Sequence, residues 1–348
     1  MKLFSDAYTD TRTGLASASF SSEKGWDGVI KGLRGLVQPD GLAKSKSSSL
    51  NDLRKRIKSD SKGGRECDGF IVGAGTWGAN GAVVDDATAR KLGALKLLRH
   101  TYSLTSWGSH QVWIVSTPAT MREWPADAYS NKNILTVKDS LSDLAEQFSG
   151  DAKKNLAKAT QEGGAWCQKA MVVAGACLKG KGKGIEIIKR WFADEDNQGE
   201  TELAAIAAKL NAGFKKLAVA MTKGHVILTD VPAIRGDSTN DIWLSEAAAA
   251  PGSAATDGIR VIYIEGAFFA DQNVLSGKKN WTRILVHEMT HVELATDDVR
   301  YAHNSLGMKP ERSNFSTATC LTNAESWAFF AADCAGAVDV GIRNSVLK

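Results

Sequence analysis

Apolar positions follow two different rhythms along the chain. Before about residue 140 they come in short runs broken by glycine: Phe70 to Val72, Ala82 to Val84, and Gln111 to Ser116. Such runs predict strands of a small α/β or β-rich unit, with Ala87 to Arg99 as an intervening helix. Beyond that point the period becomes helical. Helices are predicted over Leu141 to Phe148, Ala152 to Cys177, Ile185 to Phe192, Glu200 to Met221, Asn280 to Leu294 and Asn323 to Cys334. In the fourth of these Leu203, Ile206, Ala207, Leu210, Phe214, Leu217 and Met221 fall on one stripe. His225 to Leu228 and Ile259 to Ile264 are the predicted strands of this half, the second rich in β-branched residues.

The pattern gives an α+β fold: a mainly helical domain with a small sheet over residues 141–348. A separate small α/β or β-rich region over 67–140 and a basic segment over 1–66 precede it. Residues 43–65 are rich in Lys, Arg, Ser and Gly and read as a loop or linker, because they bury too little to offset ordering entropy. Charge divides along the same line. Residues 1–66 carry 13 basic and 8 acidic side chains, residues 184–348 carry 16 and 21, and the whole chain is +4. A balance this mild gives no expectation of nucleic-acid binding. With 43% hydrophobic residues and six prolines in 348, the composition excludes a disordered or collagen-like chain. No apolar run reaches the roughly 18–20 residues of a membrane span. The first twenty residues lack the apolar centre of a standard secretory signal, so synthesis in the cytoplasm is expected. Five scattered cysteines are too few for a disulfide scaffold; Cys167 and Cys177, ten residues apart along one helix, are too distant to pair, while a pair such as Cys320 with Cys334 stays open.

Two glycine-rich stretches imitate nucleotide loops. Gly73 to Gly78 matches G-x-G-x-x-G, yet Ala79-Asn80-Gly81 follows where a helix should open, so a turn is predicted. Gly175 to Gly182 resembles a Walker A loop but ends in Gly where Ser or Thr must hold magnesium; a helix C-terminus is predicted instead. His287-Glu288-Met289-Thr290-His291 is different. It is H-E-x-x-H within a helix whose apolar residues, Trp281, Ile284, Leu285, Met289 and Val292, form one stripe. Spacing by four places both imidazoles beside each other, able to reach one zinc ion, and Glu288 within reach of a water there. A hydrolytic zinc site needs a third protein ligand and an open position. Glu293, Asp297, Asp298, His303 and Glu325 are the downstream candidates.

Ala295-Thr296-Asp297-Asp298-Val299-Arg300-Tyr301 resembles the G-T-x-D-x-x-Y motif of the aspzincins, the deuterolysin and lysine-specific metallo-endopeptidase family. Arg190-Trp191-Phe192 resembles that family's R-x-x-W-F-G segment, Val261 to Phe269 its strand and turn, and Asn323 to Phe330 its closing helix N-A-D-x-x-x-Y-F. The similarity covers about residues 145–340. It implies that Asp298 is the third zinc ligand and that Tyr301 stabilises the oxyanion. Departures are Ala295 and Ala193 for glycines, a shorter loop from His291 to Asp298, and Asp151 and Glu265 where secreted members have cysteines. Lysine-specific members grip the substrate ammonium with two carboxylates of the closing helix. Here Glu325 keeps one position and Ala328 replaces the other.

The expected activity is therefore a zinc-dependent endopeptidase with one Zn2+ per chain. His287, His291 and Asp298 are the expected metal ligands and Glu288 the general base. Tyr301 is the expected oxyanion donor, and Glu325 the substrate-binding residue that favours a basic side chain after the cut. Its partners are protein or peptide substrates, with a secretion-machine or immunity partner expected at the N-terminal region. By analogy the setting is an exported bacterial toxin or effector. The competing expectation is a binding protein that keeps the peptidase fold without its chemistry, its N-terminal region docking a partner.

Overall fold

A computed structural model describes residues 112–115, 148–180, 182–222, 226–229, 247–249, 260–265, 267–269 and 274–348. The basic segment, the runs at Phe70 and Ala82, the Ala87 to Arg99 helix, the Gly73 to Gly78 turn and nearly all of Leu141 to Phe148 lie outside the described residues.

Helix α1 (Gly150–Cys177) opens where the Ser149 hydroxyl accepts the Ala152 N–H at 3.1 Å. It ends at Cys177, and Gly180 takes φ +66 before α2 (Lys183–Phe192) begins, so the Walker-like stretch is a turn between helices. Helix α3 (Glu200–Thr222) buries all seven positions of its predicted stripe. It lies along α1, where the terminal methyl of Met221 fills the space beside Gly163, 2.5 Å from where a Cβ would stand.

Strands β1 (Val112–Val115), β2 (Val226–Thr229), β3 (Ala247–Ala249) and β4 (Arg260–Ile264) form one sheet of order β1-β2-β4-β3. The first three in space are parallel and β3 closes the edge antiparallel to β4. Strand β1, drawn from the 67–140 region, pairs with β2 in register Val112 to Val226. The all-alanine β3 has too little β-propensity for its pattern to predict a strand.

Helix α4 (Gly277–Leu294) packs against α1, α3, β3 and β4. Helices α5 (Thr317–Thr322), α6 (Ala324–Cys334) and α7 (Val340–Val346) complete the described fold, which is mainly helical with a small sheet. Helix α6 closes the core with aromatic side chains. Phe329 stacks on Trp191 at 5.6 Å, and Phe330 packs on Phe192 and Phe214 at 5.4 and 5.5 Å. Trp327 lies over Gly213, where a Cβ would meet its ring at 2.5 Å, so α3 and α6 meet only because that residue is glycine. Cys167, Cys177, Cys320 and Cys334 are free thiols, so the Cys320–Cys334 pairing is not formed. Burial pushes the thiol pKa values up and keeps them protonated. Among the described residues no helix is long and apolar enough to cross a membrane.

Candidate metal centre

Packed by helices and sheet together, α4 buries far more than its apolar stripe. Arg283, His287, Glu288 and Thr290 are buried alongside Ile284, Leu285, Val286 and Met289. Buried polar side chains need partners, and those of α4 form the site. One helical turn brings His287 Nε2 and His291 Nε2 to 3.2 Å, their rings nearly perpendicular. Asp298 Oδ1 lies 2.9 Å from the first and 3.3 Å from the second. A tetrahedral zinc with bonds near 2.0–2.1 Å has edges of roughly 3.3 Å, and two imidazoles with one carboxylate is a zinc donor set rather than an all-oxygen calcium cage. These three residues could hold a metal ion, and they are the group of this kind among the described residues.

The outer ring nitrogens are fixed as well. His291 Nδ1 donates to the Thr296 carbonyl at 2.7 Å. His287 Nδ1 donates to Glu325 Oε2 at 3.0 Å. Both partners are acceptors only, so both Nδ1 atoms carry hydrogen and both Nε2 atoms face Asp298, the ring orientation that metal-bound histidines require. Arg283 Nη1 donates to the same Glu325 oxygen at 2.7 Å, and Arg283 Nε is held by Asn280 Oδ1 at 3.0 Å. Burial works against the Glu325 charge, but Arg283 and the His287 hydrogen bond outweigh it and its pKa falls to about 2. Burial likewise opposes the charge of His287. The Asp298 and Glu325 hydrogen bonds and the nearby carboxylates prevail, raising its pKa to about 10, and that of His291 is raised for similar reasons. Asp298, whose burial favours the neutral acid, is held far below the carboxylate range by the two imidazoles.

Local backbone chemistry carries Asp298 back over α4. The helix stops at Ala295, which takes the left-handed conformation (φ 53, ψ 45). Thr296 follows, its hydroxyl 2.7 Å from that of Thr290. The Asp297 backbone then donates to Thr322 O at 2.7 Å and accepts from Ala324 N at 3.0 Å. The Arg300 guanidinium donates to Asn314 and lies over the Phe315 ring at 4.5 Å. Tyr301 stacks on His287 at 5.8 Å and on His303 at 5.3 Å. Burial and the Asp298 carboxylate, to which it hydrogen-bonds, keep the Tyr301 hydroxyl protonated. Glu288 is buried near enough for its charge to act on both histidines and Tyr301.

The structure thus brings together His287, Glu288, His291, Asp298 and Tyr301. Asp297 is turned to solvent, with its backbone committed to the α5–α6 junction. Glu325, expected to be a substrate-gripping carboxylate, is 1% exposed, and its Oε2 accepts from both Arg283 and His287. Sequence reasoning missed Arg283, Thr296 and Asn323. A buried-side arginine four residues before the first ligand was the one visible sign.

A helix carrying H-E-x-x-H, with a carboxylate returned to it by the following loop, presents a donor set suited to a hydrolytic zinc centre. The residues from Cys177 to Ala332 match the family model of the aspzincins, described as lysine-specific metallo-endopeptidase. No curated protein and no solved structure matches the chain.

Proposed function

We propose that the chain hydrolyses peptide bonds as an endopeptidase, with zinc held by His287, His291 and Asp298. The observation that carries this reading is the convergence of three donor atoms, two of them on imidazoles whose outer hydrogen bonds already fix the rings. Zinc held there supplies Lewis acidity, polarising the scissile carbonyl and acidifying a water. Glu288, one residue past His287 and buried, takes the proton of the attacking water and returns it to the leaving amine. Tyr301 keeps its proton and donates to the developing oxyanion, a contribution on the order of 3 kcal/mol for a preorganised donor. The Tyr301 ring stacks with both His287 and His303, which restrains it before substrate arrives.

A preference for a basic residue after the cut loses the carboxylate expected to produce it, because Glu325 is committed to Arg283 and His287. The proposed substrates are unfolded or loop segments of proteins without that strict requirement. The deciding experiment incubates wild type and Glu288→Ala with a mixture of unstructured proteins and maps the cuts by mass spectrometry. Cuts made by wild type and absent with Glu288→Ala are expected. Equal patterns, or none from zinc-loaded wild type, would leave the non-catalytic binding protein as the better reading.

A further inference from the structure

The third ligand presents a register problem. Asp297 and Asp298 are adjacent, both are exposed, and only one faces the histidines. The helix that carries His287 and His291 does not decide between them, since it ends at Ala295. The decision lies across the core, at Asn323. This side chain is 0% exposed at the start of α6. Its Oδ1 accepts two successive backbone N–H groups, Val299 at 3.1 Å and Arg300 at 2.9 Å. Its chain neighbours hold Asp297 from the other side, Thr322 O accepting the Asp297 N–H and Ala324 N donating to the Asp297 carbonyl. Asp298 is the single residue between the two fastenings. Its carboxylate is therefore aimed by backbone bonds that none of the metal ligands makes. Asn323 Nδ2 is itself oriented by donating to Ser326 Oγ at 3.0 Å, which settles which end of the amide faces the loop.

We propose that Asn323 is the positioning residue for the third metal ligand, selecting Asp298 over Asp297 by holding the backbone on its C-terminal side. The inference rests on the reading of His287, His291 and Asp298 as the zinc site. An amide oxygen suits the task because it accepts two N–H groups at once, whereas an apolar side chain there would leave both N–H groups without their partner.

The test measures zinc affinity of the full chain by chelator competition. It also records the visible absorption of the cobalt-substituted protein and the thermal midpoint of the metal-free protein. Asn323→Ala is expected to weaken zinc by about 10–100-fold, the range for losing an outer partner of a ligand, and to change the cobalt spectrum. Asn323→Asp keeps a double acceptor and is expected to bind within a few-fold of wild type with the wild-type spectrum. Ser326→Ala lowers the midpoint without changing the cobalt spectrum. Zinc affinity of Asn323→Ala equal to wild type would overturn the proposal, as would Asn323→Asp no better than Asn323→Ala, or a Ser326→Ala loss as large. Asp298→Ala separates the two levels. If it too leaves zinc binding intact, the metal-site reading has failed; if it abolishes binding while Asn323→Ala does not, only the positioning role has.

Discussion

Helix α6 carries a buried carboxylate near each end, and the two have similar surroundings but different consequences. Glu325, in its first turn, accepts from Arg283 and from His287. Asp333, in its last turn, accepts from Arg190 at 2.6 Å, Trp191 at 2.9 Å and Arg343 at 2.7 Å. Both are held below the usual carboxylate range by these donors despite burial. The difference lies in what stands behind each donor. Arginine and indole have no second role, so the Asp333 cluster ends where it begins and ties α2 and α7 to α6. His287 has a second nitrogen aimed at Asp298 and His291, so the Glu325 interaction is transmitted to an open chemical position. Burial and a depressed pKa alone do not mark a functional carboxylate; a titratable partner with an unused face does.

The sharpest way to break this contrast is Asp333→Ala. It strands two guanidinium groups and an indole N–H, so a loss of about 3–5 kcal/mol is expected, the range for removing one partner of a buried ion pair. Denaturant unfolding measures it. Zinc analysis of the protein that remains folded should still find one ion per chain. Loss of zinc with retained stability would erase the distinction between the two ends.

Glu325→Gln is the complementary change. Gln can still accept from His287 but brings no charge, so zinc should bind about 10–100-fold more weakly. Because an amide replaces a charge that Arg283 needs, some stability is lost too. The expected signature is a larger effect on zinc affinity than Asp333→Asn produces. A cut-site map of Glu325→Gln identical to wild type at saturating zinc supports its role behind His287 rather than at the substrate.

Proton release extends the same contrast to pH. Without metal, His287 has a pKa raised to about 10, so at neutral pH it carries a proton that zinc must displace. The sign follows: the ion pairs of His287 stabilise the metal-free fold most fully below its unfolded pKa near 6.5, and that contribution is lost as pH rises through about 10. Zinc affinity runs the other way, rising about tenfold per pH unit for each proton released. Titration calorimetry in two buffers of different ionisation enthalpy should find at least about one proton released per zinc at pH 7. No release would mean that His287 is neutral before metal arrives.

What the sequence made legible divides by the range of the interaction. The stripe of α3, the H-E-x-x-H helix and the strands at Val226 and Arg260 are local patterns, and they are found where the periods place them. Asp298 was reached through a motif, since spacing alone left five candidates open. The roles of Arg283, Asn323 and Glu325 were out of reach because each depends on where α6 docks against α4 or the loop that follows it, 23 to 42 residues away along the chain. Hydrophobic periodicity says that a helix has a buried side but not which polar groups meet there. The burial of Glu325 was hidden for that reason: a carboxylate at a helix start reads as exposed unless the partner helix is known to bring an arginine.

The smallest expected effect concerns the turn that joins the two kinds of region, helix and ligand loop. Ala295 is the one non-glycine residue with positive φ among the described residues, and it stands where the resembling motif has glycine. A left-handed L-residue costs roughly 1–2 kcal/mol in the fold, whereas glycine adopts that conformation freely. Glycine also gives the unfolded chain more freedom, returning about 0.4–1 kcal/mol of that gain. Ala295→Gly should therefore stabilise the protein by about 0.5–1 kcal/mol, measured as a shift of the denaturant midpoint at unchanged slope. Zinc affinity should stay within about twofold, since Asp298 is aimed by the bonds at Asn323 rather than by the torsion at 295. A marked fall in zinc affinity with the expected gain in stability would show that the strained turn, and not the α6 junction, sets the reach of the third ligand.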